Sequence, residues 1–450
     1  MANWINLSTA TGSGNTTITV TANTLNDLIP RTASYKVSTP NGETKIVNIE
    51  QVNTDVDELT VFYDVATTGS KRIFNALSGN TFPEKVYRAV DGGDYELIKD
   101  ANGWISGATR VDFTSTGTHY VKYRFENPSD IVFGEFLRNY YNDTYTIDPI
   151  SVIIPSKYRT IDIYAFANPS IKTIYIQEGL SEIKEYAFWR VGLTAINLPS
   201  SLRVIGNSAF RMSDLTSINI PYGVVSIGDS FIPNMSVYPH EKGVFSACED
   251  LEDVYLPDSV SYINPCCFEK CNKLKNIRLN DNLTSIPAGT FGRYDTDNSG
   301  SLTEITIPDS VTTIGTRSFE KQQNLKKITF SSTSNIRFFN YECLNECFGL
   351  KTLTIPSSVI GMSYIGNVFG YNDVEEGQLK DIYAYPSTPP VLIPPDNQEV
   401  PYPGPASSNP IFRWVPRNGV LHYPAGSDYS SWMGDVGGLT ARGWTAVADL

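Results

Sequence analysis

The stretch DTDNSGSLTE, residues 295–304, carries hard-cation ligands at the spacing of a calcium loop. Asp295, Asp297 and Ser299 take the first, third and fifth positions of an EF-hand-like loop, and Gly300 supplies the sixth-position turn. The twelfth position is Thr306 rather than a bidentate glutamate, and it falls inside LTEITIP, which reads as a strand. The stretch is either a solvated loop or a weak calcium site; no other metal is expected. Nucleophilic catalysis would need a base, and the only histidines, His119, His240 and His422, are scattered. His119 lies in the strand-like HYVKYRF, His240 in an inserted loop and His422 near the C-terminus, with no G-x-S-x-G elbow anywhere. GSGN at 12–15 is not followed by a helix, so it is no phosphate loop. The six cysteines, at 248, 266, 267, 271, 343 and 347, form no CxxC pair and lack histidine at zinc spacing. Neither enzymatic chemistry nor a cofactor is expected.

The elements that would have to position such residues are dominated by one repeated unit. LTAINLPSSLRVIGNSAF at 193–210 is followed by LTSINIPYGVVSIG from residue 215. The unit L-x-x-I-x-[IL]-P-x-x-[VL]-x-x-I-G-x-x-[AS]-F has leading residues at Ile171, Leu193, Leu215, Leu251, Leu274, Leu302, Leu325, Leu350 and Leu379. Its closing aromatic falls at Phe166, Phe188, Phe210, Phe245, Phe268, Phe291, Phe319 and Phe369, with Leu344 standing in once. The period is 22–23 residues, stretched by insertions, and a fixed period of this size is the signature of a solenoid. In I-x-[IL]-P, Ile196 and Leu198 point to one side of a short strand and Asn197 to the other. Proline at 199, 221, 257, 308 and 356 ends the strand, because it cannot donate to a ladder. Glycine at 206, 228 and 315 suits a turn with unusual dihedrals. One unit buries too few apolar side chains to offset the ordering of its own backbone, so only a stack of coils folds.

These repeats resemble the BspA-like leucine-rich repeats of bacterial surface proteins, over about residues 150–385. The insertion SFIPNMSVYPHEKG at 230–243 departs from the pattern and is unusually apolar, so it either folds onto the stack or belongs to a contact site. The copy at 325–349 has lost both its proline and its I-G. Cys248, Cys271 and Cys347 each sit three residues after the closing position, either as small interior fill or, for 248 and 271, as a disulfide in an exported protein.

Ahead of the array, Trp4, Gly14, Asn15, Asn23, Arg31 and Gln51 look like the framework of the second half of a BACON-type β-sandwich, residues 1–54. Asn41-Gly42 between alternating runs signals a hairpin. Residues 55–127 read as strands split by GG, NG and STG turns, and GTHYVKYRF resembles the last strand of immunoglobulin-like surface domains. The solenoid with its entry cap spans 128–385, and 386–450 is a proline-rich segment followed by a C-terminal cap. The expected fold is mainly β: a leucine-rich-repeat solenoid of short parallel strands, about nine coils, preceded by one or two β-sandwich-like modules.

A net charge of -13 argues against a nucleic-acid backbone as partner. No apolar run approaches a spanning helix, and MANWINLSTATGSGN lacks an export leader, so a lipid anchor would have to lie on residues ahead of these. The outward positions of the solenoid strands form columns whose candidate ligand-binding members are Tyr175, Asn197, Asn219, Asp253, Tyr255, Arg278 and Tyr383. The resemblance implies a non-enzymatic, extracellular cell-surface protein of a gut bacterium that adheres to host or matrix macromolecules. The alternative is a glycan-binding component of a polysaccharide-scavenging system, for which Tyr175, Tyr255 and Trp104 are the candidate platforms.

Overall fold

The computed structural model describes the backbone of 5–7, 20–22, 31–38 and 44–51, and then residues 58–74, 85–125, 137, 146–229, 242–292, 300–363, 379–392, 417–434, 438–440 and 443–450. Those residues form a mainly β chain in which a solenoid of about nine turns follows an antiparallel region. Among them the only α-helix is Ser430–Met433.

The N-terminal strands are antiparallel. Arg31–Ser38 pairs with Thr44–Gln51 from Ser38 opposite Thr44 to Arg31 opposite Gln51, while the expected Asn41-Gly42 connection lies outside the described residues. Of the BACON-like residues, Arg31 and Gln51 are described by backbone alone, and Trp4, Gly14, Asn15 and Asn23 lie outside the described residues. A larger sheet is built around Leu59–Val65 and Gly117–Phe125, whose inward residues Leu59, Val61, Tyr63, Val121 and Tyr123 are fully buried. This sheet does not stop at the repeats. Pro149–Ile154 pairs antiparallel with Leu59–Val65 on one side and parallel with Thr173–Ile176 on the other. The first coil of the solenoid is thus hydrogen-bonded into the preceding sheet. Glu58 reinforces that junction, accepting from Lys157 Nζ at 2.7 Å and Arg124 Nε at 3.3 Å.

Among the described residues each coil but the one beginning at Leu193 makes two passes of strand, and a tight turn follows in the coils up to residue 349. The longer pass is the expected I-x-[IL] strand, at Thr173–Ile176, Ser217–Asn219, Asp253–Tyr255, Asn276–Arg278, Glu304–Ile307, Lys327–Phe330, Thr352–Ile355 and Asp381–Ala384. Its proline opens a turn, with the Leu202, Val260 and Val311 N–H groups donating to the carbonyls of Pro199, Pro257 and Pro308 at 3.0–3.1 Å. A second, two-residue strand precedes the I-G position, from Thr160–Ile161 and Glu182–Ile183 through Thr313–Ile314 to Val391–Leu392. The expectation of a strand across Ile196 and Leu198 is corrected. Residues 195–198 keep the in-out alternation, with Ile196 and Leu198 buried, but they pair with neither neighbouring strand. Burial sets the alternation without the ladder. The copy at 325–349 keeps both strands despite losing its proline, because the Asp309 carboxylate accepts from the Ser331 and Thr333 hydroxyls and shapes the turn.

The glycine expectation is also corrected. Gly228 does adopt a left-handed φ of 79°. Gly206 and Gly315 do not, and close approach is what requires them. A Cβ on Gly206 would stand 2.7 Å from the Glu185 nitrogen, and one on Gly315 would stand 2.6 Å from the Ile286 carbonyl oxygen.

The closing aromatic lies in the tight turn, and at Phe188, Phe210, Phe268 and Phe319 the residues two before and two after have left-handed backbone. Tyr186 and Arg190 (φ 57° and 55°) flank Phe188, Ser208 and Met212 (55° and 60°) flank Phe210, and Cys266 and Lys270 (58° each) flank Phe268. This conformation turns alternate N–H groups along the solenoid. Phe188 donates to Ala209 at 2.8 Å, Phe210 to Val244 at 3.0 Å, Phe268 to Thr290 at 2.9 Å and Phe291 to Ser318 at 2.7 Å. Beneath this ladder the rings of Phe166, Phe188, Phe210, Phe245, Phe268, Phe291 and Phe319 form one column, with successive centroids 5.1–5.9 Å apart and planes within 20°. Each such contact contributes about 0.5–1.5 kcal/mol beyond area burial.

Candidate binding face

Parallel pairing in register converts a repeated sequence position into a straight column of side chains. Asn219 lies opposite Tyr255 and Tyr255 opposite Arg278 on adjacent strands, and Ser217, Asp253 and Asn276 form the second column beside them. Neighbouring strands lie about 4.8 Å apart, so this three-strand patch offers a tyrosine flanked by an amide and a guanidinium within about 10 Å. Asn276 Nδ2 donates to Asp253 Oδ1 at 2.7 Å, which fixes both side chains along the column. Arg278 is exposed, and Asn219, Asp253 and Tyr255 are half-buried.

The other sequence-predicted members fall elsewhere. Tyr175 packs against Phe62 and Ile153 in a small cluster shared with Tyr120, where the first coil joins the preceding sheet. Asn197 sits in the stretch that lacks strand pairing. Tyr383 stands near the far end, its ring stacked on His422 at 4.4 Å with planes 8° apart. His422 was not among the candidate ligand residues. Its strand, Val420–Tyr423, pairs parallel to Asp381–Ala384 and is followed by Thr445–Ala448, so the C-terminal region extends the face by two strands. The signal was available in GVLHYPAG, which repeats the apolar-x-x-proline spacing of the coils. His422 Nδ1 lies 2.9 Å from Asp449 Oδ2, and its Nε2 3.5 Å from Asp381 Oδ1. Tyr429, Trp432 and Trp444 are buried beneath this extension.

The chemistry-bearing residues resolve as follows. Asp295, Asp297, Ser299, His240 and the apolar part of the 230–243 insertion lie outside the described residues, as does the Trp104 side chain. Among the described residues no group of three or more His, Cys, Asp or Glu is arranged to hold a metal ion. His119 Nδ1 stands 2.6 Å from Asp91 Oδ2, and Ser115 Oγ lies 3.4 Å from Nε2, which resembles a hydrolytic relay. Nε2, however, lies 3.0 Å from the Ser115 carbonyl oxygen, a contact that requires it to donate. A donating nitrogen cannot take a proton from the hydroxyl, so the arrangement pins a turn instead.

All six cysteines are free and buried. Cys248 and Cys271 are not joined, and the disulfide alternative gives way to a different role. Cys248 Sγ donates to the Phe210 carbonyl at 3.0 Å, Cys271 Sγ to Phe245 at 3.2 Å and Cys347 Sγ to Phe319 at 3.1 Å. Each thiol caps the closing aromatic of the preceding coil. Burial pushes the Cys248 thiol up to about 11, and raises the other five as well.

Comparison with known proteins follows the same repeats. A family model described as BspA type Leucine rich repeat region matches in six copies over residues 139–238 and 240–372, slightly more than half of the chain. No curated protein matches the chain. Among solved structures, a leucine-rich repeat protein from Eubacterium ventriosum is similar at 19% identity over 61% of this chain and 67% of its own, with a TM-score of 0.37. One from Bacteroides ovatus is similar at 18% identity over 86% and 100% (TM-score 0.28). A leucine rich cell surface protein from Faecalibacterium prausnitzii is similar at 20% over 68% and 85% (TM-score 0.31).

Proposed function

The chain belongs to the BspA-type leucine-rich repeat family, and from that premise we propose that it is a non-enzymatic cell-surface protein that adheres to host or matrix macromolecules through the strand face of its solenoid. The observation that carries this reading is the in-register patch Asn219–Tyr255–Arg278 with Asp253 beside it. Tyrosine and arginine dominate interface energies when a partner desolvates them, and here both stand on a pre-formed parallel sheet that loses little entropy on binding. The alternative partner, a glycan captured for nutrition, would use the same columns with tyrosine faces as sugar platforms, and Tyr175 and Tyr383 are both committed to packing against the protein's own side chains. That favours the protein partner. No helix among the described residues is long and apolar enough to cross a membrane.

The test is a panel of immobilised host matrix proteins run beside a glycan array. Adhesion predicts saturable binding to a matrix protein that falls at least about tenfold in Y255A/R278A, with no change in melting temperature. Binding confined to the glycan array, or matrix binding unaltered in that variant, would reject the reading.

A further inference from the structure

We propose that the outer surface of the turns between residues 164 and 212 is a second binding site, specific for an anionic polysaccharide. It lies on the turn side of the coils and depends on neither the strand face nor that face's ligand.

The repeat supplies an internal control. The position two residues before the closing aromatic is Tyr164, Tyr186, Ser208, Gly243, Cys266, Gly289, Arg317 and then Glu342 along the array. The coil therefore needs no aromatic side chain there, and left-handed backbone at this position favours small residues. Two successive tyrosines nonetheless occupy it at φ 57° each. Their rings stack at 4.8 Å with planes 8° apart, and Trp189 stands edge-on to Tyr164 at 6.0 Å and 79°. All three rings are half-buried. They form an aromatic step confined to the first coils, which the closing-phenylalanine column beneath does not require.

Charge decides the kind of sugar. Three carboxylates beside these turns are already matched by lysines: Glu185 by Lys242, Asp162 by Lys184 at 3.0 Å and Asp214 by Lys172 at 3.7 Å. Around the closing aromatics of these coils two arginines, Arg190 and Arg211, have no carboxylate partner among the described residues, whereas Arg203 donates to backbone carbonyls at the other turn. Arg190 is exposed, with its guanidinium carbon 5.4 Å from the Trp189 ring centroid. Arg211 holds the position after the closing aromatic in the next coil, as Trp189 does in its own, and the Arg190 N–H donates to the Arg211 carbonyl at 2.9 Å. The Arg211 Nε is shut away from water and has no hydrogen-bond partner. An uncompensated guanidinium beside an aromatic face at Arg190, with a second in the next coil at Arg211 whose Nη1 meets the Met212 sulfur at 3.4 Å, in a chain of net charge -13, selects a ligand carrying both sugar rings and acid groups.

The test is affinity electrophoresis of the full chain in gels containing polygalacturonate, dextran sulfate or neutral dextran, with polyglutamate as a competitor. Retardation by one or both acidic polysaccharides and not by dextran is expected, the two gels separating carboxylate from sulfate recognition. R190Q/R211Q should raise the dissociation constant about tenfold or more, W189A should do likewise, and Y255A/R278A should have no effect. R190Q/R211Q changes residues outside the core, so it keeps the test sound should W189A fold poorly. The proposal is overturned if neither acidic polymer retards the protein, if dextran does so equally, if R190Q/R211Q binds as well as the parent, or if polyglutamate competes as well as the sugars at equal charge.

Discussion

Glu320 is buried beneath the turn of its coil, accepting from Asn345 Nδ2 at 2.9 Å through one carboxylate oxygen while the other has no partner. Burial pushes its carboxyl up from 4.5 to about 7 against the opposing Asn345 hydrogen bond and Arg317 charge. Both folded and unfolded states hold the proton below the unfolded value. As pH rises through the window from 4.5 to about 7 the unfolded chain loses it first, so stability falls across that window by up to about 3 kcal/mol. E320Q should flatten the dependence, melting near the parent at pH 4 and higher at pH 7.5; parallel profiles in thermal melts would refute this. The cysteines allow a second residue-scale prediction. With every thiol buried and raised, Ellman's reagent should find none reactive in the native protein and all six after guanidinium. Cysteine spacing after the closing aromatic was legible in the sequence. Its use was not, because a thiol reaching back to the previous coil's carbonyl depends on backbone direction that spacing alone leaves open.

At the scale of the element, the long strand and its terminating proline follow directly from the repeat, since alternation and a missing donor act within a few residues. The two-residue strand was missed although Glu182-Ile183, Ser226-Ile227 and Thr313-Ile314 all mark it. Two residues carry too little periodicity to distinguish a strand from a turn, and only the next coil's pairing makes one. The left-handed pairs around Phe188, Phe210, Phe268 and Phe319 were invisible for a related reason. Tyr, Ser, Cys and Arg occupy those positions without a local preference for such dihedrals, and inter-coil hydrogen bonds hold them there at a cost of about 1–2 kcal/mol each. Gly206 shows the same logic in reverse, an apparent turn glycine that is required by its neighbour. G206A should therefore destabilise the chain by about 2 kcal/mol or more through overpacking against the backbone at 184–185, whereas G434A, with nothing within 4 Å of the added carbon, should stay within about 0.5 kcal/mol. Urea midpoints for the two variants that moved together would count against the close-approach account.

Across the whole molecule, three ladders and one aromatic column tie each coil to the next, and they do not break at the same place. Among the described residues the short-strand ladder runs unbroken from Thr160–Ile161 to Tyr262–Ile263 and restarts at Ser285–Ile286, while the long-strand ladder pauses at residues 195–198, between Asn276–Arg278 and Glu304–Ile307, and between Lys327–Phe330 and Thr352–Ile355. Among the described coils only the one that begins at Leu274 borders a break in both ladders, and its Ile277 is only partly buried. Continuity there falls to the turn, where Phe268 and Phe291 donate to Thr290 and Ser318 and stack within the column at 5.9 and 5.3 Å from their next neighbours. A solenoid's stability is a sum of coil and nearest-neighbour terms, so its least-bonded interface sets where it divides. Native-state hydrogen exchange should consequently show amides of 274–292 opening at lower free energy than the short-strand amides at 182–183, 204–205 and 226–227. F291A, costing about 3–5 kcal/mol at that seam, should turn one unfolding transition into two, whereas F188A, where the short-strand ladder is unbroken, should lower a single transition. Uniform exchange along the array, or one transition in both variants, would mean that the column alone makes the stack cooperative and that strand pairing between coils adds little.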